Sequence, residues 1–269
     1  MTRRLQALIF DSDGTLADNE EVHRQAFNIA FAEAGLTWQW SPDLYAQLLS
    51  ISGGRERMTR YAARVDPARA AHPEFADFVR RLHEDKTRRY AALLREGRVR
   101  LRPGVERVVQ EARREGLTLA IATSSAWSNL KTLLDANLPP EWPTWFSAIE
   151  TADTVTMKKP SPAVYEAVLK RIGVPAEQCL ALEDTENGLR AATAAGITTV
   201  ITPHRYTAAG DFGAAAAVLD GLGDHTHPAS VLAGPPSESH LIDLHYLARL
   251  LEPAAEPALR MRQGELRYG

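Results

Sequence analysis

Short apolar runs and helical stretches alternate along most of this chain. Leu5 to Phe10 (LQALIF) is an apolar run stopped by Asp11-Ser12-Asp13-Gly14, the pattern of a buried strand ended by a turn. From about Asn19 to Gly97 the spacing becomes helical, rich in Ala, Arg and Glu, with breaks at Gly35, Ser41-Pro42, Gly53-Gly54, Pro67 and Pro73. Three or four helices are expected there, the last over about 73–96. Pro103-Gly104 opens another helix, which Gly116 closes, and Leu117 to Ala122 (LTLAIA) is a second buried strand. Further helices are expected at 126–136, 161–172 and 185–195, and further short apolar runs stand at 146–149, 179–182 and 197–201.

Strand and helix in turn predict an α/β fold, a parallel sheet wrapped on both faces. The helical stretch follows the first strand directly, so it must sit over that strand's carboxyl end. Ligands of open α/β sheets bind along that edge, and an insert there is placed to act as a lid. The expected division is a core of 1–17 and 98–222, a helical cap of 18–97, and a C-terminal extension of 223–269. In the extension, Pro and Gly clusters precede one amphipathic run (Leu241, Ile242, Leu244, Leu247, Leu250, Leu251), read as a linker, a docked helix and a frayed tail from about Pro253.

Composition narrows the class. With 45% hydrophobic and 24% charged residues the chain is ordinary for a folded protein. The formal charge of −3 supplies no positive field for nucleic acid or an anionic membrane. The single Cys179 excludes an internal disulfide and a cysteine-rich metal site. With no apolar run of membrane-spanning length and no signal-peptide pattern, a cytoplasmic protein is expected, monomeric and with neither nucleic acid nor membrane as a partner.

Four polar elements each stand at or beside a predicted strand end. Asp11 and Asp13 lie two residues apart, so a persisting extended chain would aim both the same way, one to attack and one to handle a proton. Alone, the pair reads equally well as an Asp-Gly turn. Thr123-Ser124-Ser125 can hold a phosphoryl oxygen through hydroxyls and N–H groups, or simply cap the next helix. Lys159, before Pro160, can neutralise an acid cluster or a phosphate, or be a solvated lysine. Glu183-Asp184 can bind a hard cation, or cap a helix. The conjunction decides, because a parallel sheet brings these ends to one edge. Asp11, Asp13, Glu183 and Asp184 would crowd there, and two like charges about 4 Å apart repel by about 4 kcal/mol at an effective dielectric of 20. Such a cluster needs a cation, raised pKa values, or both, and Mg²⁺ suits carboxylates with a substrate phosphate.

These residues, in this order, resemble the haloacid dehalogenase superfamily of phosphotransferases, whose Rossmann-like core carries an α-helical cap after the first strand. Asp11-x-Asp13-Gly-Thr matches the first motif, Thr123 the second, Lys159 the third and Glu183-Asp184 the fourth. Leu16 to Asn28, Trp38-Gln-Trp40, Gly53 to Arg57 and Glu183 to Arg190 resemble the CbbY-type subgroup, neighbours of β-phosphoglucomutase. The resemblance runs from about Leu5 to Gly221. It implies that Asp11 attacks phosphorus and that Asp13 protonates the leaving alcohol and then activates water. It implies Mg²⁺ held by Asp11, the Asp13 carbonyl and Asp184 with Glu183 nearby, and a phosphoryl group held by Thr123 and Lys159. In the cap it implies substrate contacts from Arg55 and Lys86. Glu20 and His23 stand beside the hinge, and Gly54, Ser124, Ser125 and Asn187 complete the expected substrate-binding set. Arg55 as a surface arginine, Lys86 on a solvated face, and His23 as a satisfied buried histidine remain as alternatives, and Trp38 and Trp40 are expected to be cap core.

The implied function is a Mg²⁺-dependent sugar-phosphate phosphatase, with xylulose-1,5-bisphosphate, an inhibitor of Rubisco, as the implied substrate. A phosphomutase like β-phosphoglucomutase shares the catalytic motifs, and phosphoglycolate phosphatases share the fold. A non-catalytic binding protein predicts a lost motif residue, and none is lost. Dehalogenases of this fold lack the second Asp, and no G-x-G-x-x-G follows the first strand as a Rossmann dehydrogenase would require.

Overall fold

A computed structural model of the chain describes residues 5–97 and 99–252. Among these, seven strands form one sheet in the order β3-β2-β1-β4-β5-β6-β7. The first strand, β1 (Ala7–Phe10), is central, paired in parallel with β2 (Thr118–Ala122) and β4 (Cys179–Glu183). β3 (Ala148–Glu150), β5 (Thr198–Ile201) and β6 (Ala217–Leu219) continue the parallel sheet, and β7 (Val231–Ala233) closes one edge antiparallel to β6.

Period-two alternation sorts the strand side chains onto two faces. Leu8, Phe10, Leu119, Ile121, Leu180 and Leu182 face one way and pack with α6 (Val105–Arg114), α7 (Trp127–Asp135) and α10 (Leu244–Arg249). Ala7, Ile9, Ala120, Ala122, Cys179 and Ala181 face the other way, under α8 (Ala163–Ile172) and α9 (Glu186–Ala194). The small side chains of that second face let α8 lie close, with the fully buried Tyr165 filling the gap.

Between β1 and β2 the chain forms α1 (Glu20–Glu33), α2 (Pro42–Leu48), α3 (Gly54–Val65), α4 (Pro67–Ala70) and α5 (Phe75–Arg95). That is one element more than the highest number expected. The extra one, α4, is a single turn started by Pro67 and capped by the Asp66 carboxylate on Arg69 N, too short to leave a periodic signal. The insert has its own core, in which Phe27, Phe31, Trp40, Tyr45 and Tyr61 meet tilted or edge to face with ring centroids about 5–6 Å apart. Trp38 and Trp40 belong to it, as expected. One member comes from outside the insert: Tyr206, from the turn after β5, meets the Tyr45 ring at 5.6 Å and donates to Glu21 of α1.

The segment after 222 departs from a linker with one helix. It contributes β7 to the sheet before α10 docks through Leu244 and Leu247. Arg107 of α6 donates to the carbonyls of Leu222, Gly223 and Ile242, which fastens the segment at both ends. The expected tail from Pro253 lies outside the described residues.

Candidate active site

The carboxyl ends of β1, β2 and β4 meet beneath the insert around a cavity lined by both. Asp11 follows β1 directly. Its Oδ1 accepts from Lys159 Nζ at 2.5 Å, and the same ammonium donates to Glu183 Oε1 at 2.5 Å and the Ala122 carbonyl at 2.8 Å. One lysine thus ties together the ends of three neighbouring strands. Burial pushes the Asp11 carboxyl well up against the pull of Lys159, with Glu183 and Asp184 adding to the rise, while Asp11 and Glu183 hold the Lys159 ammonium charged despite its burial.

Asp11, Glu183 and Asp184 present carboxylate oxygens within 4.8 Å of one another. The expected four-acid cluster is therefore three acids, because the Asp13 carboxylate turns away. Its Oδ1 accepts from Asn19 Nδ2 at 2.5 Å and faces His23 Nε2 at 3.3 Å, and its Oδ2 accepts from Ser125 Oγ at 2.5 Å. Burial raises the Asp13 pKa, but His23, Ser125 and Asn19 together bring it far below the usual carboxylate range. Gly14 makes the separation possible. Its φ of 85° turns the chain sharply, and a Cβ there would stand 2.3 Å from Asp184 Oδ2.

Three buried carboxylates facing one ammonium leave excess negative charge, and their oxygens are hard donors suited to a hard cation. Asp11 Oδ2 has no hydrogen-bond partner among the described residues, and Asp184 meets Thr15 and His204 but no ammonium. Glu183 Oε1 is already shared by Lys159 and the Tyr165 hydroxyl, at 2.5 Å each, so Glu183 serves first to hold the lysine.

Thr123 ends β2, 2% exposed, with its Oγ1 2.8 Å from Ser12 Oγ and accepting from Ser125 N at 3.0 Å. Ser124 and Ser125 line the cavity beside it. From α9, Asn187 lines the cavity and donates to the Ser50 carbonyl at 2.9 Å, across to the insert.

The insert brings the rest. Glu20 accepts from the Tyr45 hydroxyl at 2.6 Å. His23 stacks on Tyr90 with centroids 3.9 Å apart and has its Nδ1 2.6 Å from Lys86 Nζ. Lys86 is 3% exposed, not on a solvated face, and its ammonium also lies 4.7 Å from the Phe27 ring centroid. Burial first, then the charge of Arg57, lowers its pKa to about 8. Arg55, at the start of α3 beside Gly54, is exposed and lines the cavity with no hydrogen-bond or ion-pair partner among the described residues. His83 stands behind it. Burial first, then the charges of Lys86, Arg55 and Lys158 around it, hold His83 down to about 3, so it stays neutral among these cations.

Every expected site residue except Glu183 therefore lines one cavity, and Glu183 lies directly behind it. Sequence reasoning missed Tyr165, Arg57, His83 and His204. His204 follows Thr202-Pro203 at the end of β5, a strand-end position like those that revealed Thr123 and Glu183. The other three sit inside helices, where a polar residue carries no such positional signal.

The haloacid dehalogenase-like hydrolase family model matches residues 5–196. Among curated proteins, the plasmid-encoded CbbY of Cupriavidus necator is 50% identical over 83% of this chain and 88% of its own length, and CbbY of Rhodobacter capsulatus is 44% identical over 78% and 91%. Among solved structures, a variant of CbbY from Rhodobacter sphaeroides in complex with xylulose-1,5-bisphosphate superposes with a TM-score of 0.74 at 39% identity, covering 82% of this chain and 98% of that one. The β-phosphoglucomutase of Clostridium difficile shares the fold, with a TM-score of 0.69 at 19% identity over 92% of this chain and 97% of that one.

Proposed function

Since the chain belongs to the haloacid dehalogenase-like hydrolases and is a phosphatase, we propose that it hydrolyses a phosphate ester of xylulose-1,5-bisphosphate through an aspartyl-phosphate at Asp11, with Mg²⁺ as its cation. The observation that carries the reading is the pairing of two unlike walls. One presents the buried Asp11 beside Thr123 and Lys159, and the other presents Arg55, Lys86 and Lys158. A substrate with one reacting and one anchoring phosphate suits both walls, and a guanidinium suits the anchoring one. The xylulose-1,5-bisphosphate bound to the Rhodobacter sphaeroides relative supports the choice of sugar.

In this mechanism Lys159 holds Asp11 Oδ1, which leaves Oδ2 to attack phosphorus. The new Asp11 O–P bond forms as the bond from phosphorus to the sugar oxygen breaks, and Asp13 gives that oxygen its proton. Asp13, then a carboxylate, takes a proton from the water that attacks the phosphorus and releases Asp11. The low Asp13 pKa keeps it ionised but a weak base, and the negative phosphoryl group arriving beside it raises that pKa toward the range both roles need. Thr123 and Lys159 meet the charge on the transferring oxygens, usually the largest catalytic contribution. Asp11, Asp184 and the Asp13 carbonyl would hold Mg²⁺, with Glu183 close by; when bound, the cation neutralises phosphoryl charge and fixes its orientation. Residues 18–97 act as the cap that reads the sugar and the distal phosphate.

The test is phosphate release with Mg²⁺ over xylulose-1,5-bisphosphate, ribulose-1,5-bisphosphate, phosphoglycolate and β-glucose-1-phosphate. A clear preference for the xylulose bisphosphate is expected, and Asp11→Asn should lower it at least about 10⁴-fold while the protein stays folded. Glucose-6-phosphate formed without free phosphate would make the protein a mutase. Near-normal turnover in Asp11→Asn would remove the nucleophile.

A further inference from the structure

The turn after β5 places a histidine against the acid cluster, and the mechanism above gives it no task. His204 is 9% exposed, and its Nε2 lies 3.0 Å from Asp184 Oδ2. The far side of the ring fixes which nitrogen carries the proton. Nδ1 accepts from Tyr206 N at 3.3 Å, so the N–H of the neutral ring is on Nε2 and points at Asp184. The backbone holds the ring in place: His204 N donates to Thr207 Oγ1 at 3.0 Å, and the His204 carbonyl accepts from the N–H groups of Thr207 and Ala208 at 2.9 Å each. Tyr206, which supplies the N–H to Nδ1, is itself anchored in the aromatic core of the insert.

Asp184 is held from two more sides. Its Oδ1 accepts from Thr15 Oγ1 at 3.3 Å. Its Oδ2 and the His204 Nε2 both lie flush against Gly14, where a Cβ would stand 2.3 Å from the first and 2.7 Å from the second. A carboxylate without such contacts rotates among several orientations, and a cation that binds one of them must first bear the loss of that freedom. Hydrogen-bond donors behind a ligating carboxylate remove this cost before the metal arrives.

We propose that His204 is a positioning residue of the cation site, which aims Asp184 at the cation through its Nε2–H and thereby raises the affinity for Mg²⁺. The proposal rests on the reading above that Asp184 holds Mg²⁺. It touches no reacting atom. It also joins two parts of the molecule, because the turn that aims Asp184 is the turn that sends Tyr206 into the insert.

The test is a calorimetric titration of MgCl₂ into the full chain, stripped of metal with EDTA, with melting temperature measured in parallel. His204→Ala is expected to weaken Mg²⁺ binding about 10–100-fold. His204→Gln, whose side-chain amide can place an N–H near the position of Nε2, should recover most of it. His204→Asn, whose shorter amide reaches only the Nδ1 position, should not. A residue needed only for packing would lower the melting temperature in all three variants and leave the Mg²⁺ affinity unchanged. Unchanged or tighter binding in a folded His204→Ala or His204→Asn protein overturns the proposal. Asp184→Asn separates this failure from that of the metal reading. Mg²⁺ binding by the parent and its loss in Asp184→Asn uphold Asp184 as a ligand whatever His204 does, whereas a parent that binds no Mg²⁺ ends both.

Discussion

Lys86 has lost most of the water that would solvate an ammonium, and what replaces it is two aromatic rings and His23. Its pKa falls from 10.5 to about 8 in the folded chain. A lowered lysine pKa means that the folded state releases the proton before the unfolded state does. The charge therefore opposes folding by about 3 kcal/mol below pH 8, and that penalty fades as pH rises from about 8 to 10.5. Binding an anion requires the charged form. The value of kcat/KM for a bisphosphate should thus decline about tenfold per unit above pH 8, and Lys86→Met should lower it about 10–100-fold at neutral pH while flattening that alkaline limb. A pH–rate profile of both proteins checks this, and an unchanged limb in the variant would assign the decline to another group. At this scale most of the candidate site residues were legible because Asp11, Thr123 and Glu183-Asp184 stand at the ends of parallel strands, which share one edge, while Lys159 showed only as a lysine before a proline at a helix start. Asp13 shows the limit of spacing: the turn at Gly14 gives its carboxylate partners from α1 and from Ser125, away from the other acids. His204 went unread because one histidine after a strand has no acid beside it in sequence, its partner Asp184 being supplied by the next strand over.

Beyond the partners of Asp13, polar contacts that bridge the insert to the core around the cavity include Lys158 with Glu56 at 2.7 Å, Asn187 with the Ser50 carbonyl, and Tyr206 with Glu21. Lys158 and Glu56 keep contact with solvent, so that pair adds little to overall stability and acts as a fastening that can open. The C-terminal segment is fastened differently. Arg107 binds the carbonyls of Leu222, Gly223 and Ile242, the first of which also accepts from Ile242 N, and α10 covers one face of the sheet. Arg107→Ala should lower stability by about 2 kcal/mol in urea unfolding, with little effect on turnover because neither Arg107 nor the carbonyls it binds line the cavity. An unchanged midpoint would show the segment to be held by its apolar contacts alone. The long helices and buried strands of the core were plain in the hydrophobic pattern. β6 and β7 were not, because three residues are too few for a period, and Leu232 of β7 faces solvent at 59% exposure.

For the molecule as a whole, the acid cluster is a local burden that a cation relieves. Saturating Mg²⁺ should raise the melting temperature, by an amount equivalent to about 2.7 kcal/mol at a hundred times its dissociation constant, and EDTA should reverse the rise. Asp184→Asn should abolish the shift, and a melting temperature indifferent to Mg²⁺ in the parent would argue against the cluster as its site. The same topology that gathers the acids also sets the order in which the molecule can assemble. β1 lies inside the sheet, third of seven strands, and Ala7 pairs with Thr118 on one side and Cys179 on the other. A chain emerging from the ribosome presents Leu8, Ile9 and Phe10 long before either neighbour has been made. The insert is complete first and has an aromatic core of its own, so it can begin to condense while the central strand still waits, exposed, for β4. Nascent chains halted before Cys179 should for this reason be those most dependent on chaperones.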